Sequence, residues 1–388
     1  MDVITINRYE SIHSPARGII LVKDTLLNLP KTVHGGVAWK LRDVEDYSHN
    51  LNPFGSPECI EDIIRSAASG VDHYPDDSCS ELKDELARHF DLENKNVLIG
   101  AGSSEIIRAF PNVFLREGEG AMIFRPSFAE YAQQCRIVGA KVIDGLLTES
   151  DDFRIVTDHL FTRMSKNIKA LYICNPNNPT GRIEPRDKVI SIIEECERRG
   201  IMVFLDETLL ELVPDYKNIS CAKYVTEYDN LVVAGSLTKS FAIPGIRIGF
   251  GFTSEENAEL MNRIRLPWNV GHIEQKVATE LFKNHMGHVE KAAEMMRTES
   301  QRMYSRLKDI GFPISAPTDS FFFFNSVQSL HKKASDLQKD MLEHKFMVRD
   351  CASFGAPFEW YVRFCVKDRV RNDRFIDAME DVLRSPRW

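Results

Sequence analysis

Leu231-Val232-Val233-Ala234-Gly235-Ser236-Leu237-Thr238-Lys239, followed shortly by Pro244-Gly245-Ile246-Arg247-Ile248-Gly249, is the stretch on which the fold turns. An apolar run of one strand's length passes into a small polar segment that ends on a lysine, and a Pro-Gly turn comes next. Similar runs recur upstream at Val97-Leu98-Ile99, Ala121-Met122-Ile123-Phe124, Ala170-Leu171-Tyr172-Ile173 and Ile201-Met202-Val203-Phe204-Leu205. Charged stretches with helical patterning separate them. Strands that lack polar alternation need cover on both faces, so residues 58–255 predict an α/β domain with a mixed, mostly parallel sheet and helices on both faces.

Downstream, residues 273–307 carry a long helical pattern rich in Glu, Lys, Met and Ala, which predicts a single helix linking two lobes. Phe321-Phe322-Phe323-Phe324-Asn325, Phe346-Met347-Val348 and Trp360-Tyr361-Val362-Arg363-Phe364 read as strands, with helices near 335–344 and 370–384, so a small α/β domain is expected. Residues 1–56 are turn-rich, at His34-Gly35-Gly36, Asn50-Leu51-Asn52-Pro53 and Phe54-Gly55-Ser56-Pro57, and read as an arm over the body. The expected organisation is an arm (1–56) serving the small lobe and the active site, a large domain (57–275), and an interlobe helix with a small C-terminal domain (276–388). No internal repeat or low-complexity tract interrupts it.

The chain has 388 residues, with 49 Lys plus Arg against 57 Asp plus Glu and a net charge of -8. That balance makes no electrostatic case for nucleic acid, and any bound anion must meet a local basic site. The eight cysteines contain no Cys-x-x-Cys pair, zinc spacing or compact disulfide framework, so they read as reduced thiols of a cytoplasmic protein without a metal. Met1-Asp2-Val3-Ile4-Thr5 lacks a basic region followed by an apolar run, and no stretch has the length to span a bilayer. Neither secretion nor membrane insertion is expected.

Several segments carry chemistry. Leu205-Asp206-Glu207 places carboxylates at the end of an apolar run, where a strand's carboxyl end faces the ligand crevice of such sheets. Asn175-Pro176-Asn177-Asn178-Pro179-Thr180-Gly181 forms a tight turn after the preceding run. Gly100-Ala101-Gly102-Ser103-Ser104-Glu105 joins a strand to a helix, whose first backbone amides attract anions. Pro126-Ser127-Phe128-Ala129-Glu130-Tyr131 and His73-Tyr74-Pro75-Asp76 complete the set. Singly, each has a plain structural use: an Asp caps a helix, a glycine turn serves packing, a tyrosine fills a core. Together and in this order they resemble the aspartate-aminotransferase-fold enzymes, the fold type I pyridoxal-phosphate proteins.

That resemblance implies pyridoxal 5'-phosphate as cofactor and Lys239 as the residue that carries it. A lysine in this role needs an amine able to lose its proton, which burial beside other cations promotes. Ser236 and Arg247 are expected to reach the cofactor phosphate, the arginine with a forked grip, in a cup made by Gly102, Ser103 and Ser104. By the same resemblance Asp206 keeps the pyridine nitrogen protonated, Asn178 hydrogen-bonds the ring hydroxyl and Tyr131 stacks on the ring. Family members often place a tyrosine three residues after this Asp, whereas Leu209 stands here. Tyr74 matches a tyrosine that reaches the neighbouring subunit's cofactor phosphate, which implies a homodimer with shared active sites.

Within the family the chain is similar to two groups that act on phosphorylated amino compounds, the histidinol-phosphate aminotransferases and the threonine-phosphate decarboxylases of cobalamin biosynthesis. His34-Gly35-Gly36, Asp46-Tyr47-Ser48-His49-Asn50-Leu51-Asn52-Pro53, Pro267-Trp268-Asn269-Val270, Arg349-Asp350-Cys351-Ala352-Ser353-Phe354-Gly355 and Tyr361-Val362-Arg363-Phe364 resemble the decarboxylases. The likeness implies that His34 and Arg349 hold the phosphate of a small phosphorylated amino-acid substrate, while Arg363 and Asn50 orient its carboxylate. The bond at Cα that stands perpendicular to the cofactor ring breaks most easily, so orientation selects the reaction. With the carboxylate out of plane, L-threonine O-3-phosphate loses carbon dioxide to give (R)-1-aminopropan-2-yl phosphate. With the Cα hydrogen there, the same parts transfer an amino group from histidinol phosphate to 2-oxoglutarate. A regulator that reuses the fold would carry a DNA-binding module, and the first fifty-odd residues show no helix-turn-helix pattern or basic stripe.

Overall fold

The structure, a computed structural model, describes residues 24–27, 29 and 40–385. In chain order the strands of its first part are β1 (Glu45–Asp46), β2 (Val97–Gly100), β3 (Gly120–Arg125), β4 (Lys141–Leu146), β5 (Ile168–Cys174), β6 (Met202–Asp206), β7 (Leu231–Ser236) and β8 (Gly249–Thr253). All but β1 join one seven-stranded sheet of order β2-β8-β7-β6-β5-β3-β4. β8 runs antiparallel to β2 and β7, and every other pair is parallel. The expected mixed, mostly parallel sheet is therefore present. The sequence does not signal β4, an edge strand with exposed residues at both ends, or the glycine-interrupted β8.

The apolar runs follow from cover on both faces. Leu98, Tyr172, Phe204 and Val232 pack with Ile106, Ile107 and Phe110 of the helix Ser103–Phe114. Their chain neighbours Ile99, Ile173, Leu205 and Val233 enter a second core with Val189, Ile192 and Ile193 of the helix Arg186–Arg198. Successive strand residues point to opposite faces, so one uninterrupted run feeds two cores.

The second part contains β9 (Phe322–Ser326), β10 (Phe346–Met347), β11 (Arg349–Asp350) and β12 (Tyr361–Cys365), with helices Ala334–Glu343 and Arg369–Arg384. β11, β12 and β9 form an antiparallel sheet, and β10 pairs in parallel with β1 of the arm. The Tyr47 ring, fully buried, stacks on Phe375 at 4.2 Å and its hydroxyl donates to Asn372, anchoring the arm to this lobe.

The single helix expected over 273–307 is instead two, His272–Asn284 and Met286–Asp309. Asn284, His285 and Gly287 are poor helix formers at the junction. The break also places His285 Nδ1 3.6 Å from Cys59 Sγ and His288 Nε2 3.0 Å from the Gly55 carbonyl, so the end of the arm docks at the joint. All eight cysteines are free thiols. Among the described residues no helix is long and apolar enough to cross a membrane.

Candidate active site

A cavity of about 310 Å³ opens at the carboxyl ends of the parallel strands, between the large sheet, the arm and the small lobe. β7 delivers Ser236, then the short helix Leu237–Ser240, and thus Lys239. Ser236 Oγ accepts from the Thr238 N–H at 3.2 Å and caps the turn. The arm fastens the same turn from the other side: the Asn52 N–H donates to the Lys239 carbonyl at 2.9 Å and its side-chain amide to the Ser240 carbonyl at 2.8 Å. Burial, then the charges of Arg363 and Arg247, bring the Lys239 amine down to about 8 against the pull of Asp206. An amine so placed gives up its proton far more readily than an exposed lysine.

The wall opposite is built from β2 and the helix that follows it. Gly102 adopts φ +79°, and a Cβ there would lie 2.4 Å from Arg247 Nη2. At Gly249 a Cβ would land 2.1 Å from the Ser103 nitrogen, so the glycine in β8 lets the turn settle onto the sheet. Ser103 and Ser104 line the cavity at the helix N-terminus, a ready anion site. Glu105 Oε2 braces the turn, accepting from the Ala101 N–H at 2.6 Å and from the Asn269 amide at 2.8 Å.

Asp206 ends β6. One carboxylate oxygen accepts from the Tyr131 hydroxyl at 2.5 Å and the other from the Thr208 N–H at 2.9 Å. Burial pushes its pKa up, and these two bonds with the Lys239 charge oppose the shift. The sequence assigns Tyr131 a ring stacked on the cofactor. In the structure that ring is buried and stacked on Tyr172 at 5.5 Å, and the hydroxyl holds Asp206. Phe128, two residues into the same segment and given no role by the resemblance, lines the cavity. The helix Ala129–Ile137 starts just after Phe128, so Tyr131, one turn in, is drawn back into the sheet. Leu209 lines the cavity at the position where the resemblance implies a tyrosine.

The substrate side comes from the arm and the small lobe. Arg349 on β11 and Arg363 on β12 are register partners. Arg363 is only 8 % exposed; it donates to Asn178 Oδ1 and to the Ser48 carbonyl, and its Nε has no partner. Among the described residues no carboxylate pairs with it. Asn50, 4 % exposed, leaves its side-chain oxygen unpartnered. Arg349 donates to Ser353 Oγ at 2.8 Å, and both residues line the cavity.

The structure thus brings Lys239, Asp206, Asn178, Tyr131, Ser103, Ser104, Ser236, Asn50, Arg349 and Arg363 to one cavity; Gly102 and Arg247 lie against each other next to Ser103 and are not among its lining residues. Tyr74 is not among them: it is 74 % exposed and stacks on Trp268 at 4.4 Å. His34 lies outside the described residues. The lining fits pyridoxal phosphate: a lysine amine made easy to deprotonate, a buried carboxylate for the ring nitrogen, and a helix N-terminus whose glycines leave room for a phosphate.

A family model described as aminotransferase class I and II matches residues 42–379. A histidinol-phosphate aminotransferase of Caldicellulosiruptor saccharolyticus is 28% identical over 344 residues, 88% of this chain and 93% of that protein. The threonine-phosphate decarboxylase of Salmonella typhimurium is 27% identical over 339 residues, 87% of this chain and 91% of that protein. Among solved structures, the histidinol-phosphate aminotransferase from Clostridium acetobutylicum superposes with a TM-score of 0.79 at 26% identity, covering 87% of this chain and 98% of that one. The L-threonine-O-3-phosphate decarboxylase from Porphyromonas gingivalis superposes with a TM-score of 0.75 at 22% identity, covering 88% and 100%, which speaks to the fold alone.

Proposed function

Because the chain belongs to the aminotransferase class I and II family of pyridoxal-phosphate enzymes, we propose that it decarboxylates L-threonine O-3-phosphate to (R)-1-aminopropan-2-yl phosphate. The observation that carries this reading is Arg363, a buried cation on the lysine's cavity with an orphan Nε and no acidic partner among the described residues. A substrate carboxylate supplies the missing charge and acceptor. Threonine phosphate carries that carboxylate and a phosphate for Arg349 on one molecule; histidinol phosphate has no carboxylate, and in the second reading only its amino acceptor 2-oxoglutarate would meet Arg363.

When bound, the cofactor supplies an electron sink for the bond broken at the substrate's Cα. The protein's part is to choose that bond. Arg349 grips the phosphate at one end and Arg363, with Asn50, holds the carboxylate at the other, so two anchored ends fix rotation about Cα. Tyr131 and Thr208 hold Asp206, which would keep the proton on the ring nitrogen of a bound cofactor. Lys239, with its amine near 8, returns a proton to Cα once carbon dioxide has left. The arm, through Asn52, holds the turn that carries Lys239 in place. We read Tyr74, exposed in this chain, as serving the cofactor phosphate of a second copy, and the enzyme as a cytoplasmic homodimer that supplies an amino-alcohol phosphate for cobalamin assembly.

The second reading, transfer of an amino group from histidinol phosphate to 2-oxoglutarate, draws on relatives of that name at comparable identity. Product analysis separates the two. Holoenzyme given L-threonine O-3-phosphate and no keto acid is expected to release carbon dioxide, one per substrate consumed. No gas, together with amino transfer from histidinol phosphate to 2-oxoglutarate, reverses the ranking.

A further inference from the structure

Between Ser48, which Arg363 grips, and the buried Asn50, the arm carries a third side chain into the cavity wall: His49. Its Nδ1 lies 2.7 Å from Asp46 Oδ2. The other oxygen of that carboxylate accepts from the Ser48 N–H at 2.7 Å and the Ser48 hydroxyl at 2.6 Å. Asp46 is itself fixed in β1, opposite Met347, and these bonds, the one to His49 foremost, outweigh burial and hold its pKa down. An imidazole bonded to a carboxylate at Nδ1 has its ring orientation set by that bond. Nε2 has no protein partner among the described residues.

We propose that His49 is a further ligand of the substrate's phosphate, acting beside Arg349. Depth in the cavity separates the two anion sites. Arg363 and Asn50 are almost wholly enclosed, whereas the His49 side chain is 31% exposed and Arg349 and Ser353 stand toward the open side. A substrate whose carboxylate occupies the enclosed end carries its phosphate, on the oxygen of the next carbon, toward the outer end. There a phosphate at Nε2 and Asp46 at Nδ1 engage both N–H groups of one imidazolium, and the bond to the anion is charge-assisted. Asp46 acts as a positioning residue through His49. The proposal rests on the reading above only in taking a phosphorylated amino acid as the ligand.

The test reads binding, so it does not depend on which bond is broken. Holoenzyme is titrated with L-threonine O-3-phosphate and, separately, with L-threonine, following the absorbance of the bound cofactor. His49→Ala is expected to weaken the phosphate ester by roughly tenfold to a hundredfold, the range of a hydrogen bond to a charged group, and to leave threonine unchanged. His49→Gln, which keeps a donor without a charge, falls between. A merely structural histidine, tying the turn to Asp46, would weaken both ligands alike or neither, and either result overturns the proposal. So does a wild-type protein with no preference for the phosphate ester. Wild-type protein that prefers the ester, loses the preference with His49→Ala and yet releases no carbon dioxide supports the assignment of His49 while removing the decarboxylase reading.

Discussion

Replacing Lys239 with methionine in the cofactor-free protein removes a charge, keeps most of the side chain's volume, and is expected to make the fold more stable. The amine's pKa falls from 10.5 to about 8 on folding, chiefly through burial and then through Arg363 and Arg247. At about 1.4 kcal/mol for each tenfold change in proton affinity, the folded state carries a penalty of roughly 3 kcal/mol for the charged form. The attraction of Asp206 is already contained in that net shift, and with partial solvent screening in the cavity the gain is expected to be about 1 to 3 kcal/mol. The sign depends on pH. At pH 7 the lysine is charged in both the folded and the unfolded chain, so the whole penalty stands. As pH rises through about 8 the folded chain loses its proton first and the wild type gains stability; above the unfolded value both chains are neutral and the advantage of methionine is gone. Urea unfolding of both cofactor-free proteins at one protein concentration, followed by tryptophan fluorescence at pH 7 and again near the unfolded lysine's pKa, measures the difference. Equal stability at pH 7, or an advantage that does not shrink with rising pH, would refute the claim that this amine is held against its own charge.

Two other sites follow from geometry. Gly249→Ala sets a methyl 2.1 Å from the Ser103 nitrogen, so backbone at the helix N-terminus must shift; cofactor affinity, titrated by absorbance on protein that remains folded, is expected to fall at least about tenfold, with a stability loss of about 1 to 3 kcal/mol. Asn52→Ala leaves the buried Ser240 carbonyl and the Phe54 N–H without their side-chain partner; thermal or urea unfolding should register a loss of about 1 to 3 kcal/mol, and an unchanged midpoint would show that the Asn52 side chain does not fasten the lysine turn.

Much of the site was legible because its parts are local. The strand runs, the turn ending on Lys239, the glycine turn before Ser103 and the Asn-Pro turn each encode their backbone in neighbouring residues, and the cores accept them without alternation because both sheet faces are covered. Their order then implied a single crevice. What the chain hid depends on pairs far apart in sequence. Tyr131 reaches Asp206 across 75 positions, Arg363 reaches the Ser48 carbonyl across 315, and Asn52 holds the Ser240 carbonyl across 188. No local pattern marks such partners: a tyrosine one turn into a helix reads the same whether its ring or its hydroxyl is in use. His49 stands beside Asn50 in Asp46-Tyr47-Ser48-His49-Asn50, yet only the path of the arm sets its Nδ1 on Asp46 and its ring on the cavity. Residue types supplied the chemistry, and the tertiary path decided which atoms of those residues face it, because direction is a property of packing over long separations.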